Sequence, residues 1–177
     1  MNEWFHELTR SSADVLEDFL RSGQAPSVET LVGSEFRGAN IGAVPRRLGL
    51  QKFIKGFFHG PDSVEGYNIR VDQNGLDAPW TPKPHHEQPR RFGFYLVSPV
   101  RPRGRDSRYP NAILLDYGAS PRNPGTRIER ALRDYLVVPD PNRSDVLLGK
   151  AYLAAGPARL PVGFFVIERL RPTDWHP

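Results

Sequence analysis

Cysteine is missing from all 177 residues, which rules out disulfides, zinc-thiolate sites, iron-sulfur clusters and cysteine nucleophiles. Long apolar runs are missing too. The best stretches, Ala112 to Leu115 and Gly163 to Ile167, fall far short of the roughly 18 apolar residues of a membrane helix, so no membrane span is expected. The opening MNEWFHELTR has acidic residues and a histidine where a secretory signal carries basic residues and an apolar run, which makes a cytoplasmic, soluble protein the expectation. Gly33 and Gly38, like Gly56 and Gly60, lack the partners and spacing of a phosphate loop or dinucleotide fingerprint. There is also no Gly-x-Ser-x-Gly elbow.

Basic residues are in mild excess. The formal net charge is +4 with a pI near 9.6, but the arginines are spread along the chain and interleaved with Asp and Glu, so nucleic acid is not an expected partner. The densest basic stretch, Arg90, Arg91, Arg101, Arg103, Arg105 and Arg108, is broken by Pro and Gly and reads as loop.

Apolar residues at Trp4, Phe5, Leu8, Val15, Leu16, Phe19 and Leu20 follow a 3.6-residue period and predict an amphipathic helix within residues 1–25, stopped by Gly23. A short turn from Ser27 leads into a first strand around Glu35 to Ile41. Pro45 then stands where a helix begins, and Leu48, Leu50, Phe53, Ile54, Phe57 and Phe58 continue a helical stripe, predicting a second helix over 45–58. Beyond it, five-to-ten-residue apolar segments bounded by turn residues read as strands: Tyr67 to Asp72, Arg91 to Val97, Ala112 to Tyr117, Arg133 to Val138, Val146 to Ala154 and Leu160 to Arg169. Residues 127–132 fit a helical turn. The turns at Pro139 to Ser144 and Gly156-Pro157 make the last three strands sequential neighbours. Residues 76–90, with Pro79, Pro82, Pro84 and Pro89, and residues 100–110 read as long exposed loops.

The expected fold is therefore mainly β with two or three helices, one domain over 1–177. Its seven or eight antiparallel strands would close into a barrel or a strongly bent half-barrel, which removes exposed edges. The short turn Ser27 to Val32 followed by Gly33, Ser34, Glu35, Phe36, Arg37 and Gly38 resembles the start of calycin-type barrels, the lipocalins and fatty-acid-binding proteins. Phe36 stands where lipocalins carry a tryptophan, one residue further from the glycine, and Arg169 or Arg171 matches the arginine that packs on it. A helix between the first two strands is similar in placement to the helical pair of fatty-acid-binding barrels.

That resemblance implies an apolar or amphipathic small molecule inside the barrel, with Phe53, Phe57, Phe58, Phe94, Tyr152 and Phe164 as lining residues and the 45–58 helix controlling access. The alternative is a non-enzymatic interaction or scaffold domain using the Arg- and aromatic-bearing loops, in which Trp80 and Tyr109 supply contacts. A third reading is an enzyme with its site in the barrel; Asp72, Asp116, Glu168, His59 and Tyr117 are available, and no pattern selects a catalytic residue among them. Every one of these aromatic and acidic residues also has a plain role open to it, in core packing or arginine pairing. His85, His86 and Glu87, with His59, are metal-ligand types, but adjacent histidines on an extended chain diverge, so neither a metal site nor a cofactor is expected.

Overall fold

The computed structural model describes residues 2–42, 45, 47–124 and 128–177. Eight antiparallel strands close into a barrel in simple sequential order: β1 (Ser34–Asn40), β2 (Lys52–His59), β3 (Val64–Arg70), β4 (Arg91–Pro99), β5 (Ile113–Asp116), β6 (Leu132–Val137), β7 (Val146–Ala155) and β8 (Ala158–Pro172). β8 returns to pair with β1, so every strand has two neighbours and the sheet has no free edge.

Of the helical stripe expected over 45–58, Pro45 and Arg47 are helical, Arg46 lies outside the described residues, and residues 52–58 are instead strand, forming β2 with His59. Its apolar spacing arises because both faces of this strand are buried. Phe53 and Phe57 point to one side, Ile54 and Phe58 to the other. The N-terminal helix is two helices, α1 (Glu3–Arg10) and α2 (Ala13–Ser22), because Ser12 caps α2 by accepting from the Val15 N–H and breaks the continuous run. Ile128–Ala131 forms the expected helical turn, while Arg127 lies outside the described residues.

The helices explain why the strands carry apolar residues outside as well as inside. α1 lies on β8 and α2 on β7, and Trp4, Phe5, Leu8, Leu16 and Leu20 bury themselves against outward residues such as Tyr152, Leu148 and Val166. The second cluster contains no residue of either helix and fills the lumen: Phe36, Phe57, Tyr95, Val97, Ile113, Leu115, Leu136, Leu147, Phe165 and Ile167. Cross-strand partners share a face, so the registers Phe57 to Gly66 to Tyr95 and Gly149 to Phe165 place each of these on the inner side.

A recurring detail accompanies those registers. Gly38, Gly56, Gly66 and Gly149 each lie opposite an aromatic residue, Phe53, Tyr67, Tyr95 and Phe165, whose ring occupies the space a Cβ would need. Glycine there lets a large ring lie flat over the neighbouring backbone, shielding it.

Candidate functional site

One end of the barrel is stoppered. A 3₁₀ turn at Val28–Thr30 is followed by Gly33, whose φ of 70° suits glycine and turns the chain into β1. Leu31 is 2 % exposed and packs on the lumen cluster. Across it the Arg169 guanidinium stands 5.0 Å from the Phe36 ring centroid, and it donates to the Thr30 carbonyl at 2.7 Å and to the Ser34 hydroxyl. The last strand thereby ties down the segment that precedes the first.

The other end differs. On β2 the inward residues run from Phe57, fully buried, through Lys55 to half-buried Phe53; on β6 from Leu136 through Asp134 to half-buried Leu132; on β7 from Leu147 through Gly149 to half-buried Ala151. Burial falls along the axis on three strands that surround the same opening. This less completely buried end, beside residues 41–42 and 47–51 of the β1–β2 connection and the β7–β8 hairpin, is taken as a shallow cup.

Lys55 is the polar group beneath the cup. Its ammonium is 3.0 Å from Asp134 Oδ2, donates to Tyr117 Oη at 2.5 Å and to Asn68 Oδ1 at 3.1 Å, and Tyr117 in turn donates to Asp134 at 2.9 Å. Phe53, Tyr95, Tyr117 and Phe165 place their rings 4.8–5.6 Å from the same nitrogen. Burial lowers the Lys55 pKa, and the Asp134 charge pulls the other way. Burial first, then the Asp134 charge, pushes the Tyr117 and Tyr95 phenols well up, so both stay protonated. A charge pair taken out of water stays tolerable only when its hydrogen bonds are filled, as they are here.

The six aromatic residues expected to line a pocket separate into three places. Phe53 is at the mouth, 5.9 Å from Phe165, and Phe57 is deep in the stoppered half against Phe36. Phe58 and Phe94 lie outside the barrel around Trp175 of the C-terminal segment. Tyr152 and Phe164 are outward too: Tyr152 faces Tyr109 and Tyr135, and Phe164 faces Lys150. Lys55, Asp134 and Asn68 escaped sequence reasoning. The signal was present in Phe53-Ile54-Lys55-Gly56-Phe57, where an alternating reading puts the lysine in phase with the inward rings.

The other polar residues do not converge. Asp72 pairs with Lys83 and Asp116 with Arg133, Glu168 accepts from Arg37 and the Asn2 N–H, and His59 sits at the stoppered end beside Glu29. Only Tyr117 reaches the lumen network. His85, His86 and Glu87 are exposed in the β3–β4 connection, at the opposite end from His59. The loop aromatics expected to meet a partner are internal: Trp80, 8 % exposed, donates to the Gly38 carbonyl under Lys52, and Tyr109, 1 % exposed, is clamped by Glu17 and Tyr152. The loops themselves wrap the barrel, which supplies apolar surface for those rings to cover.

Among the described residues, depressions lie outside the lumen. One of about 280 Å³ is polar, between α1 and the β1–β2 connection, with His6, Thr9, Arg10, Asn40, Gln51 and Asp77 around it. Another is an open hollow along Arg101–Gly104. No helix among the described residues is long and apolar enough to cross a membrane. Comparisons with family models, with curated proteins and with solved structures return no match for this chain.

Proposed function

We propose that the protein is a calycin-type barrel that binds an amphipathic small molecule in the cup at its half-open end. The observation that carries this reading is the axial gradient of burial, which leaves Phe53, Leu132 and Ala151 half-buried directly above a lysine at the barrel axis. An apolar body would rest on those three side chains. A carboxylate or carbonyl head would take over one of the three hydrogen bonds that the Lys55 ammonium gives to Asn68, Tyr117 and Asp134, exchanging it for a charge-assisted contact in a water-poor setting. The Arg169, Phe36 and 3₁₀-turn arrangement supports the calycin kinship, since it joins the two chain ends in the manner the sequence resemblance implies.

Native mass spectrometry of protein purified from its own host, set against the denatured mass and a solvent extract, tests the reading. A reproducible extra mass that is lost in Lys55→Met supports it. A clean apo mass, with no quenching when Phe53→Trp is titrated with long-chain carboxylates, overturns it.

The second reading, a filled scaffold domain, draws on the near-complete burial of Phe36, Phe57, Leu136, Leu147 and Ile167, which leaves the stoppered half without room for a ligand. The apo outcome of the same experiment favours it.

A further inference from the structure

Among the described residues five large apolar side chains are exposed, and four of them lie at one end of the barrel: Leu48 and Leu50 in the β1–β2 connection, Leu160 and Val162 in the β7–β8 hairpin, each 53–66 % exposed. The fifth, Val15, is on α2. The two segments are neighbours. Asn40 pairs with Phe165 and its side-chain amide donates to the Leu50 carbonyl, while the Ile41 N–H donates to the Phe164 carbonyl.

Cations reach this end by two routes, from Arg47 in the β1–β2 connection and from the β4–β5 loop, which leaves the barrel at the stoppered end and runs back to the hairpin at Asp106. Arg47 precedes Leu48 and is exposed. Arg101, Arg103 and Arg105 are exposed in the β4–β5 loop, whose one acid, Asp106, is engaged by Arg159 and lies 3.8 Å from Arg133. Arg159 adjoins Leu160, so Asp106 anchors the arginine loop beside the hairpin tip and leaves Arg101, Arg103 and Arg105 without an ion pair among the described residues.

We propose that this end of the barrel docks on an anionic lipid bilayer, with Leu48, Leu50, Leu160 and Val162 entering the interface and Arg47, Arg101, Arg103 and Arg105 meeting the headgroups. Nucleic acid would use the arginines and leave four aliphatic side chains in water. A protein interface is usually centred on aromatic anchors, and the two aromatic residues of the long loops are spent internally. Protruding aliphatic tips ringed by cations are what an anionic bilayer surface binds. The inference goes beyond the ligand reading and does not depend on it, although docking would set the cup against the lipid.

The test is co-sedimentation of the full chain with phosphatidylcholine vesicles, with and without phosphatidylserine, at low and high salt. Binding to the anionic vesicles alone, weakened by salt, is expected. Arg47→Gln and Arg105→Gln should each lower partitioning about fivefold. Leu48→Ser/Leu50→Ser and Leu160→Ser/Val162→Ser should each lower it further with unchanged melting temperature, while Val15→Ser should have no effect. No sedimentation with either vesicle, equal binding to neutral vesicles, or anionic binding indifferent to both leucine pairs overturns the proposal. Binding to an oligonucleotide that ignores the leucine pairs, without vesicle binding, also overturns it. A protein that carries extractable ligand yet ignores vesicles sinks docking alone; one that docks but is always apo sinks the ligand reading alone.

Discussion

Lys55 on β2 and Asp134 on β6 meet at 3.0 Å across the whole width of the barrel, with three strands between them whichever way round the sheet is followed. The pair is a cross-brace between opposite walls as well as the polar floor of the cup. Removing one partner strands the other in a dry interior, so Lys55→Met or Asp134→Ala should each cost about 3–5 kcal/mol in urea unfolding. The double variant Lys55→Met/Asp134→Leu should regain most of that loss. Recovery of stability without recovery of ligand retention would separate the structural role from the binding role.

Arg169→Ala should loosen the stopper. It deletes a charged donor to the Thr30 carbonyl and the cover over Phe36, worth about 1–3 kcal/mol together. Hydrogen exchange at Thr30 and Leu31 is the sensitive measurement, and protection there should fall before protection in β5 or β6 does. Unchanged exchange would show that the turn holds without the arginine.

Gly56→Ala and Gly149→Ala should be far more damaging than glycine replacements in ordinary strands, because the new methyl meets the Tyr67 or Phe165 ring. Overpacking of this kind costs about 1–3 kcal/mol. Thermal melts check it, and pairing Gly149→Ala with Phe165→Leu should relieve part of the loss if the ring is the obstacle.

Stability should fall at both extremes of pH. Burial raises the pKa of Tyr67, Tyr95, Tyr109, Tyr117 and Tyr135, the last to about 12. A raised folded value gives stability that is complete below the unfolded pKa near 10 and lost as pH climbs towards the folded one. Tyrosinate absorbance should therefore lag in the native protein and then rise together with unfolding.

The acid side rests in part on Glu17. Burial alone would raise its pKa, but hydrogen bonds from Lys150 and Tyr109 and the charges of Lys150 and Arg21 bring it below its usual value. A lowered folded value stabilises above the unfolded pKa and is lost as pH falls through the folded one. Glu17→Gln should flatten the decline in stability below about pH 4.5, read from chemical melts at stepped pH. A slope identical to the parent's would remove Glu17 from the account.

The antiparallel run from β4 to β8 was readable from the sequence through unambiguous turns such as Pro139 to Ser144, whereas a closed barrel and a bent half-barrel stood as alternatives that the pairing of β8 with β1 decides. The contact of Arg169 with Phe36 was anticipated through the lipocalin resemblance, which left Arg169 and Arg171 as alternatives. β2 was not. A strand buried on both faces places apolar groups at intervals that a helix also satisfies, and Lys52 and Lys55 then fall where a helix would show water a polar face. The cup was hidden for another reason: Phe53 and Phe57 are the same residue type in the same phase, and only the position of each along the axis makes one half-buried and the other sealed. Trp80 and Tyr109 misled because a proline-rich loop that wraps a barrel looks, in one dimension, like a loop that leaves it.

The four glycines set beneath aromatic rings bear on register as well as on packing. A hairpin that zips two residues out of step would press Tyr67 against Ile54 or Phe58 instead of Gly56, and Phe165 against Leu147 or Ala151 instead of Gly149. Such a slip would deny each ring its seat over a glycine backbone. The native register is thus the one in which the vacancies left by missing side chains and the rings that fill them coincide.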